Sequence, residues 1–265
     1  MELSGKLVII TGASRGIGRA LAIELARSGC RLLLNALEDD ELSALSNGLR
    51  SKYSMPVEGM ACDLSDLESR KNLINWILNW KEPPDILINN AGRGYFGRFE
   101  DSDWNRIQKT IALNISGLIH LTYELIPILK KRASAKIVNI SSGMARLPYP
   151  GLAVYGATKG FISSFSESLS SELSGTSISV LCFHPGFAMT SFISSAEMNM
   201  QKVPKILIHS PEDIAIQIVR AIQKDKQWAY SDFLTRFSVG MGAILPSRLK
   251  TFILKDLFWR LPDAK

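Results

Sequence analysis

Residues 6–18 read KLVIITGASRGIG. A β-branched apolar run gives way to three glycines, and helix-forming residues follow at once. The run at 6–11 predicts a strand, and Arg15 to Ser28, closed by Gly29, predicts a helix. Between them, Gly12 permits a tight turn, Gly16 lets backbone approach a pyrophosphate and Gly18 lets the helix pack closely on the sheet. A helix that starts there offers free N–H groups and a partial positive charge to an anion in the turn. The spacing is G-x3-G-x-G and not the general dinucleotide fingerprint G-x-G-x-x-G, so a glycine-rich turn without a ligand is the alternative to be weighed.

The same rhythm runs on through the chain. Strands are expected at 31–35, 56–63, 85–89, 136–141 and 177–183, with helices near 39–52, 66–80, 102–132 and 152–174. Strands separated by helices at this interval imply βαβ units. The expected fold is α/β: a doubly wound Rossmann-type parallel sheet with helices on both faces, in a single domain. That domain is expected over residues 1–235, with 236–265 as an apolar-basic C-terminal extension. TGASRGIG, CDLSD, NNAG, NISSG and HPG each follow an expected strand, at the sheet edge where ligands of such folds bind.

Composition narrows the class. The chain has 265 residues, 46% of them hydrophobic and 21% charged, as in ordinary soluble globular proteins. Cys30, Cys62 and Cys182 lie far apart without a CxxC motif, so neither a disulfide framework nor a metal site is expected. The N-terminus lacks the layout of a signal peptide, and no run of about eighteen apolar residues is evident, so the expectation is a cytoplasmic protein. The net charge is +6, and from Arg236 onward six Lys/Arg face two Asp/Glu. Without a dense basic stripe or a recognisable module, no nucleic-acid partner is expected.

Taken in order, TGASRGIG, the D of CDLSD, NNAG, Ser142, YGATK (155–159) and the P-G turn resemble a short-chain dehydrogenase/reductase of the single-domain type, over about residues 4–230. The resemblance implies a cofactor loop at Gly12, Ser14, Arg15, Gly16, Ile17 and Gly18. It implies an adenine contact at Asp63, an N-A-G turn at Asn90, Ala91 and Gly92, and further cofactor contacts at Pro185, Gly186 and Thr190. It implies a catalytic set of Asn114, Ser142, Tyr155 and Lys159, with Tyr155 and Lys159 also against the cofactor. Asn114 would break the helical bonding of the long helix and hold a water in the proton path.

The chemistry of YGATK follows from its spacing. A phenol titrates near 10 and is a poor base at neutral pH. A lysine one helical turn on shares its face, and its charge is expected to favour the phenolate. Tyr155 would then give a proton to a carbonyl oxygen, or take one from an alcohol, while the cofactor exchanges hydride. Ser142, thirteen residues earlier, would hold the substrate oxygen. His120, His184 and His209 are read as core or surface histidines outside any paired constellation, and no G-x-S-x-G elbow suggests a serine hydrolase.

NADP(H) is expected over NAD(H). The acidic residue that would bind a ribose 2′-hydroxyl at the end of strand two is replaced by Ala36, while Arg15 stands ready for a 2′-phosphate. Leu37 and the acids Glu38, Asp39 and Asp40 weigh the other way. Residues 93–101, 144–151 and 187–200 are expected to shape an apolar pocket, with Tyr149, Phe187, Phe192 and methionines among them. QWAYSD replaces the glycine-rich last strand of 3-oxoacyl-carrier-protein reductases, a reductase type that stays as an alternative. The other alternative is a dinucleotide-binding sensor or scaffold without turnover. A homodimer or homotetramer is expected through the helices at 102–132 and 152–174. For the tail, packing on the body or a partner subunit, peripheral attachment to an anionic membrane and a lid over the site are all open.

Overall fold

Strand β1 (Leu7–Thr11) is buried at every position, as is most of β2 (Arg31–Ala36). Such uninterrupted burial requires cover on both faces. In the computed structural model, which describes residues 1–188 and 208–259, successive β1 side chains enter opposite layers. Val8 and Ile10 pack with helices α1 (Gly16–Arg27), α2 (Asp39–Tyr53) and α7 (Pro211–Gln223). Leu7 and Ile9 pack with α3 (Leu67–Leu78), α5 (Leu118–Leu129) and α6 (Ala153–Glu172).

The remaining strands of the sheet are β3 (Val57–Ala61), β4 (Ile86–Asn89), β5 (Ala135–Ile140), β6 (Ile178–His184) and β9 (Trp228–Tyr230), and their spatial order is β3-β2-β1-β4-β5-β6-β9. All pairings are parallel. The chain builds outward from β1 to β3, then returns to place β4 on the other side of β1, with Ile10 opposite Ile88. That reversal opens a crevice at the ends of β1 and β4, and the Gly12 and Asn90 turns both lie there. The doubly wound single-domain fold is therefore as expected.

Two details differ from expectation. QWAYSD does supply a last strand: β9 pairs with β6, Cys182 opposite Trp228. With three residues before a polar turn, it was too short to show a period. A two-strand ladder, β7 (Phe187–Ala188) with β8 (Ile208–His209), stands apart from the main sheet. The long helix expected at 102–132 is interrupted at Asn114, as the resemblance implied: α4 (Trp104–Ile111) and α5 are joined by a π-helical turn, Ala112–Gly117, that contains it. By length and composition alone, the stretch Trp104–Leu129 holds an 18-residue window apolar enough to cross a bilayer. Its buried residues Leu121, Leu125 and Leu129 instead join the core beneath the sheet.

Asp85 ties the opposite end of the sheet together. Its buried carboxylate accepts from the Leu7 N–H at 2.9 Å, Lys6 Nζ at 3.1 Å and Arg132 Nη2 at 2.7 Å. After β9 come α8 (Phe233–Ile244) and α9 (Ser247–Trp259), so the boundary expected at 235 falls inside a helix.

Candidate active site

The phosphate turn is built by close backbone contact. Gly12 has φ +65° and Gly16 φ +55°, in the left-handed region that favours glycine. A Cβ on Gly18 would lie 2.0 Å from Gly12 O, and one on Gly12 would lie 2.9 Å from Ala91 Cα. Asn90 spends its amide on this packing, donating to Thr11 O at 2.9 Å and Gly12 O at 3.0 Å. Thr11 Oγ1 accepts from the N–H groups of Asn90 and Ala91, both at 3.0 Å. The first turn of α1 carries no carboxylate and no capping side chain, which leaves its N–H groups to an anion. That cradle fits a dinucleotide pyrophosphate. Ser14 is half-buried in the turn, and Ile17 packs against the core below it.

After β3, Asp63 Oδ1 accepts from the Ser65 N–H at 2.8 Å and Ser65 Oγ at 2.6 Å. Arg15 is half exposed and held by acids of the following unit. Its Nε donates to Glu41 Oε2 at 2.5 Å, and its Nη2 pairs with Glu38. The Glu41 hydrogen bond, with the charges of Glu38 and Glu41, raises the guanidinium further, and Arg15 in turn lowers the Glu41 carboxyl.

Ser142, Tyr155, Lys159 and Asn114 come together beside the N-A-G turn. Lys159 Nζ donates to Ile140 O at 2.8 Å and stands 5.7 Å from the Tyr155 ring centre. A Cβ on Gly92 would find Lys159 Nζ at 3.4 Å and Asn114 Oδ1 at 3.5 Å. Asn114 is buried in the π turn. Its Nδ2 donates to Arg93 O and Thr158 Oγ1, each at 2.9 Å, and its Oδ1 accepts from the Arg93 N–H at 2.9 Å. It thus staples the N-A-G turn to α6.

The electrostatics differ from the sequence reading. Part of Tyr155 remains accessible, yet desolvation pushes its phenol up to about 12, against which the Ser142 hydrogen bond works. Burial pushes the Lys159 ammonium down to about 8. Desolvation, and not the pull of the lysine charge, governs the phenol. It is protonated at neutral pH.

Behind the site runs a buried polar chain. Ser141 Oγ donates to Lys159 O at 2.8 Å and meets Ser163 Oγ at 2.8 Å, and Ser163 Oγ meets His184 Nε2 at 3.0 Å. His184 is stacked against Trp228 and Tyr230, and burial pushes it down to about 4, so it is a neutral core histidine. Contrary to expectation, the other histidines do have side-chain partners. His120 Nδ1 accepts from Arg70 Nε at 2.9 Å, and His209 Nε2 bonds Asp232 Oδ2 at 2.8 Å.

A cavity of about 160 Å³ opens from Ser142. Met144, Tyr149 and Phe187 line it as anticipated, together with Gly143, Pro185 and Gly186. Its far wall was missed by sequence reasoning: Asp232, Leu234, Thr235 and Ser238, from the start of α8. Asp232 caps α8 by accepting from the Thr235 N–H at 2.7 Å, and Ser231 Oγ accepts from the Gly186 N–H at 2.7 Å. The D-x-x-T pattern at 232–235 was a legible helix start. Its place on the pocket was not legible. Thr190 and Phe192 lie outside the described residues.

The short chain dehydrogenase family model matches residues 6–201. An NADP-dependent 3-hydroxy acid dehydrogenase of Schizosaccharomyces pombe is 30% identical over 88% of this chain and 93% of its own length. A short-chain dehydrogenase from Sphingobium yanoikuyae, solved with NADPH, superposes with a TM-score of 0.82 at 27% identity, covering 98% of each chain. A short-chain dehydrogenase/reductase from Burkholderia phymatum, solved with NAD, shares the fold with a TM-score of 0.81 at 23% identity, covering 96% of each chain. One further relative is a much longer protein, of which this chain spans 19%. The phosphate turn, the strand order and these matches agree: the chain belongs to the short-chain dehydrogenase family of oxidoreductases.

Proposed function

We propose that the protein is an NADP(H)-dependent reductase of apolar carbonyl compounds, working through Tyr155, Lys159, Ser142 and Asn114. One observation supports the proposal most: Lys159 and Asn114 meet at Gly92, Lys159 lies over the Tyr155 ring, and Ser142, hydrogen-bonded to Tyr155, opens onto the cavity. The cofactor would be held by the Gly12–Gly18 turn, Asp63, Asn90–Gly92, Pro185, Gly186 and Thr190. When bound, it supplies the hydride for the carbonyl carbon. Tyr155 gives its phenolic proton to the carbonyl oxygen. A phenol near 12 is protonated at neutral pH, which favours reduction over alcohol oxidation. Ser142 Oγ holds the same oxygen and steadies its developing charge. Lys159 grips the ribose and keeps a positive charge beneath the phenol up to about pH 8. The amide of Asn114 is spent on Arg93 and Thr158, so this residue positions the N-A-G turn for the others.

The test is oxidation of NADPH, followed by absorbance, across ketones, diketones, steroids and long-chain 3-oxo compounds. Turnover is expected with an apolar member of the panel. NADPH binding without oxidation by any of them would favour a cofactor-binding sensor. Selective turnover of 3-oxoacyl thioesters would favour the 3-oxoacyl reductase reading.

NADPH is expected to bind more tightly than NADH, because Arg15 can exchange its carboxylate partners for a 2′-phosphate. Arg15→Ala should narrow the gap at least about tenfold, because it removes a charge-assisted bond to the phosphate. Equal wild-type affinities in a fluorescence titration would remove this assignment.

A homo-oligomer, dimer or tetramer, belongs to the same proposal. Trp104, Ile111 and Tyr123 are exposed along α4 and α5, and large apolar groups on display need cover. Light scattering should return a multiple of 29.3 kDa, and a stable monomer at micromolar concentration would contradict it. A cytoplasmic location, with peripheral membrane attachment through the C-terminal segment, is proposed as well. Cys30, Cys62 and Cys182 are buried and unbridged.

A further inference from the structure

We propose that α8 and α9 form a docking surface for an anionic membrane, and that the substrate cavity opens beside it. This develops the membrane contact above, and its statement about substrate entry rests on the reductase reading of Ser142 and Tyr155.

The two faces of α8 have different work. Thr235, Val239 and Gly242 are buried against the site. A Cβ on Gly242 would come within 2.5 Å of Arg146 O, and Thr235 Cγ2 would lie 3.0 Å from a Cβ on Gly143. This contact fixes the helix rigidly to the turn that carries Ser142. The outer face has no cover among the described residues. Phe233 is 76% exposed, Phe237 55% and Ile244 80%, and Phe252 of α9 is 76% exposed. The Phe233 and Phe237 rings stack at 6.4 Å, presenting one apolar ridge. A soluble monomer rarely displays large apolar groups so close together without using them.

Charge selects the occupant. Asp232, whose carboxylate is taken up by Ser231, Thr235 and His209, and Asp256 bound the stretch 233–255, which has no Asp or Glu and in which Arg236, Arg248, Lys250 and Lys255 are cationic. Arg236 and Arg248 are exposed. An ordinary solvated face mixes both signs. A second copy fits less well, because a two-fold contact through this face would bring the exposed arginines of both copies together. An anionic bilayer answers both features: aromatic and aliphatic side chains enter the acyl boundary while the guanidinium groups meet lipid phosphates. Leu234, next to Phe233 in the chain, is 54% exposed and also lines the cavity with Ser142. An apolar carbonyl compound dissolved in the bilayer therefore meets the cavity mouth without crossing water.

Flotation of the full chain with phosphatidylcholine vesicles, with and without phosphatidylglycerol, tests the docking without any substrate. The wild type should float with the anionic vesicles at low salt and be released as salt rises. The double variant Phe237→Glu/Phe252→Glu should lose about tenfold or more in partition, with an unchanged melting temperature and unchanged turnover of a water-soluble ketone. Its kcat/KM should fall only for a ketone carried in the vesicles. A wild type that stays unbound, or a variant that floats equally well, overturns the docking. If light scattering shows the variant dropping from oligomer to monomer, a second copy covers the ridge and the proposal fails. Flotation without turnover of any ketone would leave the surface standing and reject only the reductase reading.

Discussion

Tyr155→Phe is expected to lower kcat for ketone reduction by about 10²–10⁴-fold, the usual contribution of a positioned general acid. The dissociation constant for NADPH should stay within about twofold. The substitution removes the proton and leaves the ring, the α6 backbone and Lys159 in place. Phenylalanine has no proton to give, so no pH in the working range should rescue the variant. The wild-type reduction rate should be flat through neutrality and fall above about pH 8, as Lys159 loses its proton and its grip on the ribose. Stopped-flow turnover and a fluorescence titration measure the two quantities. A near-normal kcat in Tyr155→Phe would remove the phenol from the chemistry.

Lys159→Met is expected to abolish turnover and weaken NADPH binding while leaving the protein as stable as before, or more so. The ammonium is buried, and its folded pKa of about 8 lies below the unfolded value of about 10.4. A base lowered in this way costs stability while it is charged. The cost is full below about pH 8 and fades as pH rises toward the unfolded value. Its size is about 3 kcal/mol, less about 1 kcal/mol for the lost bond to Ile140 O. A net 2 kcal/mol would raise Tm at pH 7 by about 4–8 °C for a chain of this length. The gain should shrink by pH 10. A Tm that falls by several degrees at pH 7 would show that the lysine supports the fold and is not a functional expense.

Much of the fold and of the cofactor cradle was legible because backbone geometry constrains sequence directly. Gly12 and Gly18 are required by contacts of 2.9 and 2.0 Å that any Cβ would make, and the strand runs are apolar because the sheet is covered on both faces. The interruption at Asn114 was legible as a poor helix former inside a long helix, a hint that matches the π turn there. Other features depend on enclosure, which sequence spacing does not encode. The four-residue step from Tyr155 to Lys159 puts the two side chains on one face, but only the surrounding packing sets both titrations. The His209–Asp232 pair joins residues 23 apart across β8 and α8, with no local signal. The line drawn at residue 235 followed a change in charge composition, whereas the pocket wall follows the cap at Asp232, which composition does not register.

The most direct measurement uses NADPH carrying deuterium at C4, in separate preparations for each face, with each compound of the carbonyl panel. The product alcohol is then weighed by mass spectrometry. One preparation is expected to deliver a single deuterium to the carbinol carbon and the other none, and Tyr155→Phe should suppress the transfer. NADPH that binds tightly but passes no deuterium to any carbonyl compound, in the wild type as in the variant, would contradict the reductase reading.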